Sequence, residues 1–77
     1  MLTEMNGWIV SITTLGGDQP EIRLFAIHES DPAEAVAAIY KSVLPRDDQV
    51  VGVVAPLSDR AIETLDLPRG EVMELTP

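Results

Sequence analysis

The stretch Ser30-Asp31-Pro32-Ala33-Glu34-Ala35-Val36-Ala37-Ala38-Ile39-Tyr40-Lys41-Ser42-Val43 specifies a capped helix standing between two apolar runs that read as strands. Pro32 suits the first helical position, because its ring fixes a helical φ and that position's N–H has no intrahelical acceptor to lose. Asp31 is then the N-cap. Its carboxylate is expected to accept from the Glu34 N–H while Glu34 reaches back to the N–H of Asp31, and both acids sit at the positive end of the helix dipole. Val36, Ile39, Tyr40 and Val43 follow the i, i+3, i+4, i+7 spacing of one apolar face, with Tyr40 a core residue whose hydroxyl reaches the rim. Pro45 ends the helix by disfavouring helical geometry at Leu44.

Outward from this helix the chain reads as a series of short elements. Trp8–Leu15 is rich in aromatic and β-branched residues and predicts a first strand; Gly16-Gly17-Asp18-Gln19-Pro20 interrupts it, and Ile22–His28 resumes an extended pattern. The two runs form an antiparallel hairpin with a loop longer than two residues. After the helix, Gln49-Val50-Val51-Gly52-Val53-Val54-Ala55 is a continuous Val-rich run, the pattern of an interior strand covered on both faces. Leu57–Asp66 predicts a second, shorter helix with Ser58 as N-cap and Leu57 and Ile62 as a hydrophobic staple. Leu67-Pro68-Arg69-Gly70 predicts a turn, and Glu71–Leu75 a last strand.

The order is ββαβαβ, and the expected architecture is a single α+β domain over residues 1–77: a two-layer sandwich with a four-stranded mixed sheet and both helices on one face. The order and length resemble the β-grasp architecture, in which a hairpin, a helix and later strands share one sheet. The resemblance lies in topology alone. The chain closes on Leu75-Thr76-Pro77 without the Gly-Gly tail of ubiquitin-like conjugators and sulfur carriers, so their chemistry is not expected here.

Composition narrows the function classes. A chain of 77 residues buries only about 60% of the surface its unfolded form exposes. With no cysteine, neither disulfides nor thiolates reinforce the core, and self-association is the remaining common remedy. Thirteen Asp and Glu against five dispersed Lys and Arg give a formal net charge of −8. That charge repels phosphate backbones and anionic lipid, so neither nucleic acid nor a membrane is an expected partner. Met1–Gly7 carries no Lys or Arg and the apolar residues after it are broken by Ser11, Thr13 and Thr14, which predicts no secretory signal and a cytoplasmic location.

No constellation of side chains fixes a chemistry. His28-Glu29-Ser30-Asp31 collects triad-like residue types, but they run from a strand end directly into a helix cap, and a lone histidine is a weak ligand. Gly16-Gly17-Asp18 lacks the following helix and lysine of a phosphate loop. Asp47-Asp48 lacks the further oxygens of a calcium loop. No catalytic residue, cofactor or metal is therefore expected. Because strand side chains alternate, Trp8, Val10 and Ile12 share one face, and two helices on the other face would leave it apolar and open. The expected function is a protein-interaction or regulatory module, a homodimer or accessory subunit that docks a protein partner or a second copy through Trp8, Val10 and Ile12. The alternative is a small-ligand-binding protein or minor enzyme with a pocket between the sheet and the second helix, near His28 and its neighbouring acids.

Overall fold

A computed structural model describes residues 6–75, so the expectations drawn from Met1–Met5 and from Thr76-Pro77 lie outside the described residues. The elements are β1 (Gly7–Thr14), β2 (Glu21–Ile27), α1 (Pro32–Ser42), β3 (Gln49–Leu57), α2 (Asp59–Leu65) and β4 (Val72–Leu75), an α+β fold in the order ββαβαβ.

The caps define the helices, with one change of partner. The Asp31 carboxylate accepts from the Ala33 N–H at 2.9 Å rather than from Glu34. At α2 the Ser58 hydroxyl accepts from the Ala61 N–H at 3.2 Å, and Leu57 and Ile62 are buried in one cluster, as a staple requires. The final turn is shifted by one residue: Glu71 N–H donates to the Pro68 carbonyl at 3.1 Å, which places Gly70, with φ +80°, at the third position where a type II turn needs a left-handed residue.

The strands lie in the order β3-β1-β2-β4, and every ladder is antiparallel. The sheet is therefore not mixed. β2 and β3 do run in the same direction, but β1 lies between them and pairs with both. β3 is an edge strand and not the interior one its Val-rich run predicts. Its register against β1 shifts between Ile9 and Val10, leaving Val54 as an extra residue, and Pro56 sits near its end. Pro56 cannot donate to a ladder, and such a residue is tolerated where the strand has a neighbour on one side only.

The two helices do not share a face, and this decides where any site can be. Val10, Ile12, Phe25 and Ile27 on one face pack with Ala35 and Ile39 of α1, and Trp8, Val51 and Val72 close the margins of this cluster. On the opposite face Ala26, Leu57, Ile62 and Leu67 form a second cluster, supported by Ile9, Ala61 and Met73. α1 and α2 therefore cover opposite faces, giving three layers instead of two. β3 and β4 are opposite edges of the sheet, so the α2 connection must cross a face, and α1 already occupies the first.

α1 also rolls away from its expected face. Its buried contacts are Ala35 and Ile39, with Ala38 and Val43 partly buried, while Tyr40 is 51% exposed. Small residues beneath the helix let its backbone approach a sheet layer already filled by Phe25, Ile12 and Ile27. The Tyr40 ring has no room there and points to water. Each fully buried aliphatic side chain in this layer contributes about 1.5–3 kcal/mol relative to exposure, so Val10, Ile12, Ile27 and Ile39 are the largest apolar contributors to the core.

Candidate functional site

Val10 and Ile12 are 0% exposed, sealed beneath α1. Trp8 is half-buried at the margin of the same cluster, and its indole Nε1–H donates to the Ser30 carbonyl at 3.0 Å, tying β1 to the chain entering α1. These three residues are core and scaffold. They form no docking face, because the helix expected on the opposite side of the sheet lies on theirs.

On the α1 face Val53, opposite Val10, is 43% exposed, but the larger apolar surface left open is on the other face. Strand pairing sets Val50, Thr13 and Ile22 side by side in one row, and Gly52, Ser11, Leu24 and Leu75 in the next. α2 spans only seven residues and covers the half of this face that holds Ile9, Ala26 and Met73. Beyond its reach Ile22 is 62%, Val50 52% and Leu24 38% exposed, with Leu15 exposed next to them. The two rows contain no charged side chain in a molecule of net charge −8. Leu75 continues this surface into a groove of about 490 Å³ beside α2, also lined by Ala61, Thr64 and Leu65.

The sequence held part of this signal. Alternation along Glu21–Ile27 already separates Ile22 and Leu24 from Phe25 and Ile27; the missing information was which of the two faces each helix covers. For β3, Pro56 was the available marker of an edge, lying one residue beyond the Val-rich run as it was delimited.

A second feature lies at the opposite end of the sheet. A cleft of about 330 Å³ opens between α2 and the end of β2, lined by Asn6, His28, Asp59, Ile62, Glu63 and Arg69. The backbone of His28 is fixed at both polar groups: its N–H donates to the Glu71 carbonyl at 3.2 Å, and its carbonyl accepts from Gly70 N–H at 2.8 Å. The ring is fixed as well. Nδ1 lies 2.9 Å from the Leu67 carbonyl, which can only accept, so Nδ1 carries a proton and in the neutral ring Nε2 holds the free lone pair. Asp59 accepts from Asn6 Nδ2 at 2.7 Å, and Glu63 follows it by one helical turn. The cleft thus offers an oriented imidazole, a guanidinium and two carboxylates. Among the described residues no group of three or more His, Asp or Glu side chains is arranged to hold a metal ion.

One ion pair has defined geometry. Arg23 donates through Nε and Nη2 to the two carboxylate oxygens of Glu74 at 2.9 and 2.7 Å, and its Cζ lies 5.1 Å from the Phe25 ring centroid. Hydrogen bonding to Arg23 holds the Glu74 carboxyl below its ordinary value of 4.5, with charge attraction adding to it, and the same contacts raise Arg23. A depressed carboxyl stabilises the fold above its unfolded pKa, and that contribution is lost as pH falls through the folded one. The pair therefore weakens in acid below pH 4.5. Its exposure makes this a surface contribution screened by solvent and salt. Its structural consequence is to place a carboxylate on the β4 edge.

Among the described residues no helix is long and apolar enough to cross a membrane. Comparisons of the chain with protein-family models, with curated proteins and with solved structures gave no match.

Proposed function

We propose that the protein is a small cytoplasmic protein-interaction module, and that it docks through the half of the second sheet face that α2 leaves open. The observation that carries this reading is the uncharged patch of Ile22, Leu24 and Val50, contiguous by strand register and exposed on a chain otherwise dense in acidic groups. Exposed aliphatic side chains on neighbouring strands cost solubility and return nothing to the fold, whereas burial against a partner recovers about 25 cal/mol for each Å² removed from water. Ile22→Asp tests the reading. It is expected to change stability by less than about 0.5 kcal/mol, because the side chain is exposed, while abolishing capture of the partner from the native cell. Capture unchanged by Ile22→Asp would move the docking surface elsewhere.

The cleft at His28 supports a second reading, a small polar ligand held between Arg69 and the Asp59 and Glu63 carboxylates. Its volume is near the lower end of ligand sites, about 300–1,000 Å³. Titration with small zwitterionic metabolites should then move the His28 ring resonances, and unmoved resonances would dismiss the cleft.

A further inference from the structure

We propose that the β3 edge bordering this surface pairs with a second copy of the chain, antiparallel along the first half of β3 about a two-fold axis at Val51, which doubles the open face; the inference rests on the docking reading above.

Backbone groups along the first half of β3 lack a neighbour. Leu15 N–H donates to the Asp48 carbonyl at 2.8 Å. Antiparallel pairs alternate between bonded and non-bonded, so the register Thr13↔Val50 and Ser11↔Gly52 commits the backbone groups of Val50 and Gly52 to β1. Val51 consequently turns both its N–H and its carbonyl to the outside of the sheet. The Gln49 N–H is taken by the Arg46 carbonyl at 3.0 Å, and its carbonyl faces outward beside Val51.

The rest of β3 and the β4 edge are guarded. Past Val53 the extra residue Val54 breaks the strand's regularity, and Pro56 has no N–H to offer. On the other side of the sheet, β4 is four residues long, carries Glu74 and is preceded by Glu71. Bulges, proline, short length and charge are the devices that keep edges from pairing. Gln49–Val53 has none of them.

The side chains select the second copy. With Val51 facing Val51 across the axis, Val50 of each copy lies beside Gly52 of the other on the open face. A Cβ placed on Gly52 would meet only the Ser11 Oγ, at 3.8 Å, so the space above the glycine is free to receive the valine branches. Large side chain against gap is satisfied twice by one operation, as an isologous contact requires. Charge points the same way. Gln49–Leu57 contains no ionisable side chain in a chain of net charge −8, so two copies meet where their repulsion is least, and a basic partner finds no anion on the strand. Pairing also joins the rows of Val50, Ile22 and Leu24 from both copies into one continuous apolar face. A pairing of five residues on each side buries less than the roughly 1,200 Å² of a stable interface, so the dimer is weak and depends on concentration.

Sedimentation equilibrium on the full chain from micromolar to millimolar concentration tests this. The wild type should pass from monomer to dimer mass across that range. Gly52→Val, which the monomer has room for, and Val50→Lys, on an exposed side chain, should both remain monomeric with thermal transitions as cooperative as the wild type's. A wild type that is monomeric at millimolar concentration overturns the second copy, as does a dimer that both variants form equally well. If that monomer still captures a cellular partner in an Ile22-dependent way, the docking reading stands and only the edge pairing proposed here falls.

Discussion

Val10→Asp is expected to unfold the protein at 25 °C, seen as collapse of amide dispersion in an NMR spectrum and loss of the near-ultraviolet signal of Trp8. Val10 is completely enclosed between the sheet and α1, where its neighbours Ile12, Phe25, Ile39 and Ala35 offer no hydrogen-bond donor from a side chain. An ionised carboxylate there loses its hydration without gaining a partner, and protonating it to avoid that cost leaves a polar group in an apolar layer. Removing a buried charge's partner costs about 3–5 kcal/mol in other proteins, and here the lost valine packing adds to a penalty of that size. Domain stability runs at roughly 0.05–0.15 kcal/mol per residue, so a chain of 77 residues has little to spare. A folded Val10→Asp would return Val10 to the surface and remove α1 from its face. The contrast with Ile22→Asp is the useful one, since the two substitutions introduce the same charge on opposite faces.

Gly7→Ala is expected to destabilise the protein by about 1–3 kcal/mol, the range for forcing extra atoms into a packed site. Gly7 opens β1 at the point where α2 meets the sheet. A Cβ on it would lie 2.8 Å from the Ile27 carbonyl, 2.9 Å from Ile62 Cδ1 and 3.2 Å from Leu57 Cβ. The Ile62 side chain can turn aside, but the Ile27 carbonyl belongs to the β1–β2 ladder and cannot move without breaking it. The strain is relieved by lifting α2. Hydrogen exchange should accordingly accelerate at Ile62–Leu65 more than in α1, and chemical denaturation should show the lower stability. Equal protection of α2 in wild type and variant would contradict the close approach of helix and strand.

The parts of this molecule that were legible in the sequence are those set by neighbours along the chain. Asp31-Pro32 and Ser58 announce both helices through local capping chemistry, and the Gly16-Gly17 break locates the hairpin. What was not legible depends on where distant elements meet. Trp8, Val10 and Ile12 share a face by strand geometry alone, but whether that face is core or surface depends on the path of two connections, and alternation carries no such information. Both faces of the sheet are apolar because both are covered, the α1 face over most of its apolar residues and the α2 face over about half. A short chain does leave apolar sheet surface open; the contiguous patch is Ile22, Leu24 and Val50, on the face opposite the expected one. Val50–Val54 shows the limit of composition in the same way. A run of valines reads as a buried strand, while here one flank of β3 is paired and the other is free. Tyr40 fits the apolar spacing of α1, yet Ala35 and Ala38 let the helix lie closer to the sheet and turn Tyr40 outward.

α1 buries Val10 and Ile12 on one face of the sheet while α2 leaves half of the other exposed, and the absence of cysteine from the sequence makes this directly measurable. Single cysteines placed at Ile22, Val50, Ile12 and Val10, each followed by thiol labelling under native conditions at low protein concentration, report accessibility position by position. The account predicts labelling of Ile22→Cys and Val50→Cys at the rate of an unfolded thiol, with Ile12→Cys and Val10→Cys reacting only as fast as the protein opens. Rapid labelling at Val10 and Ile12 together with protection at Ile22 and Val50 would contradict it.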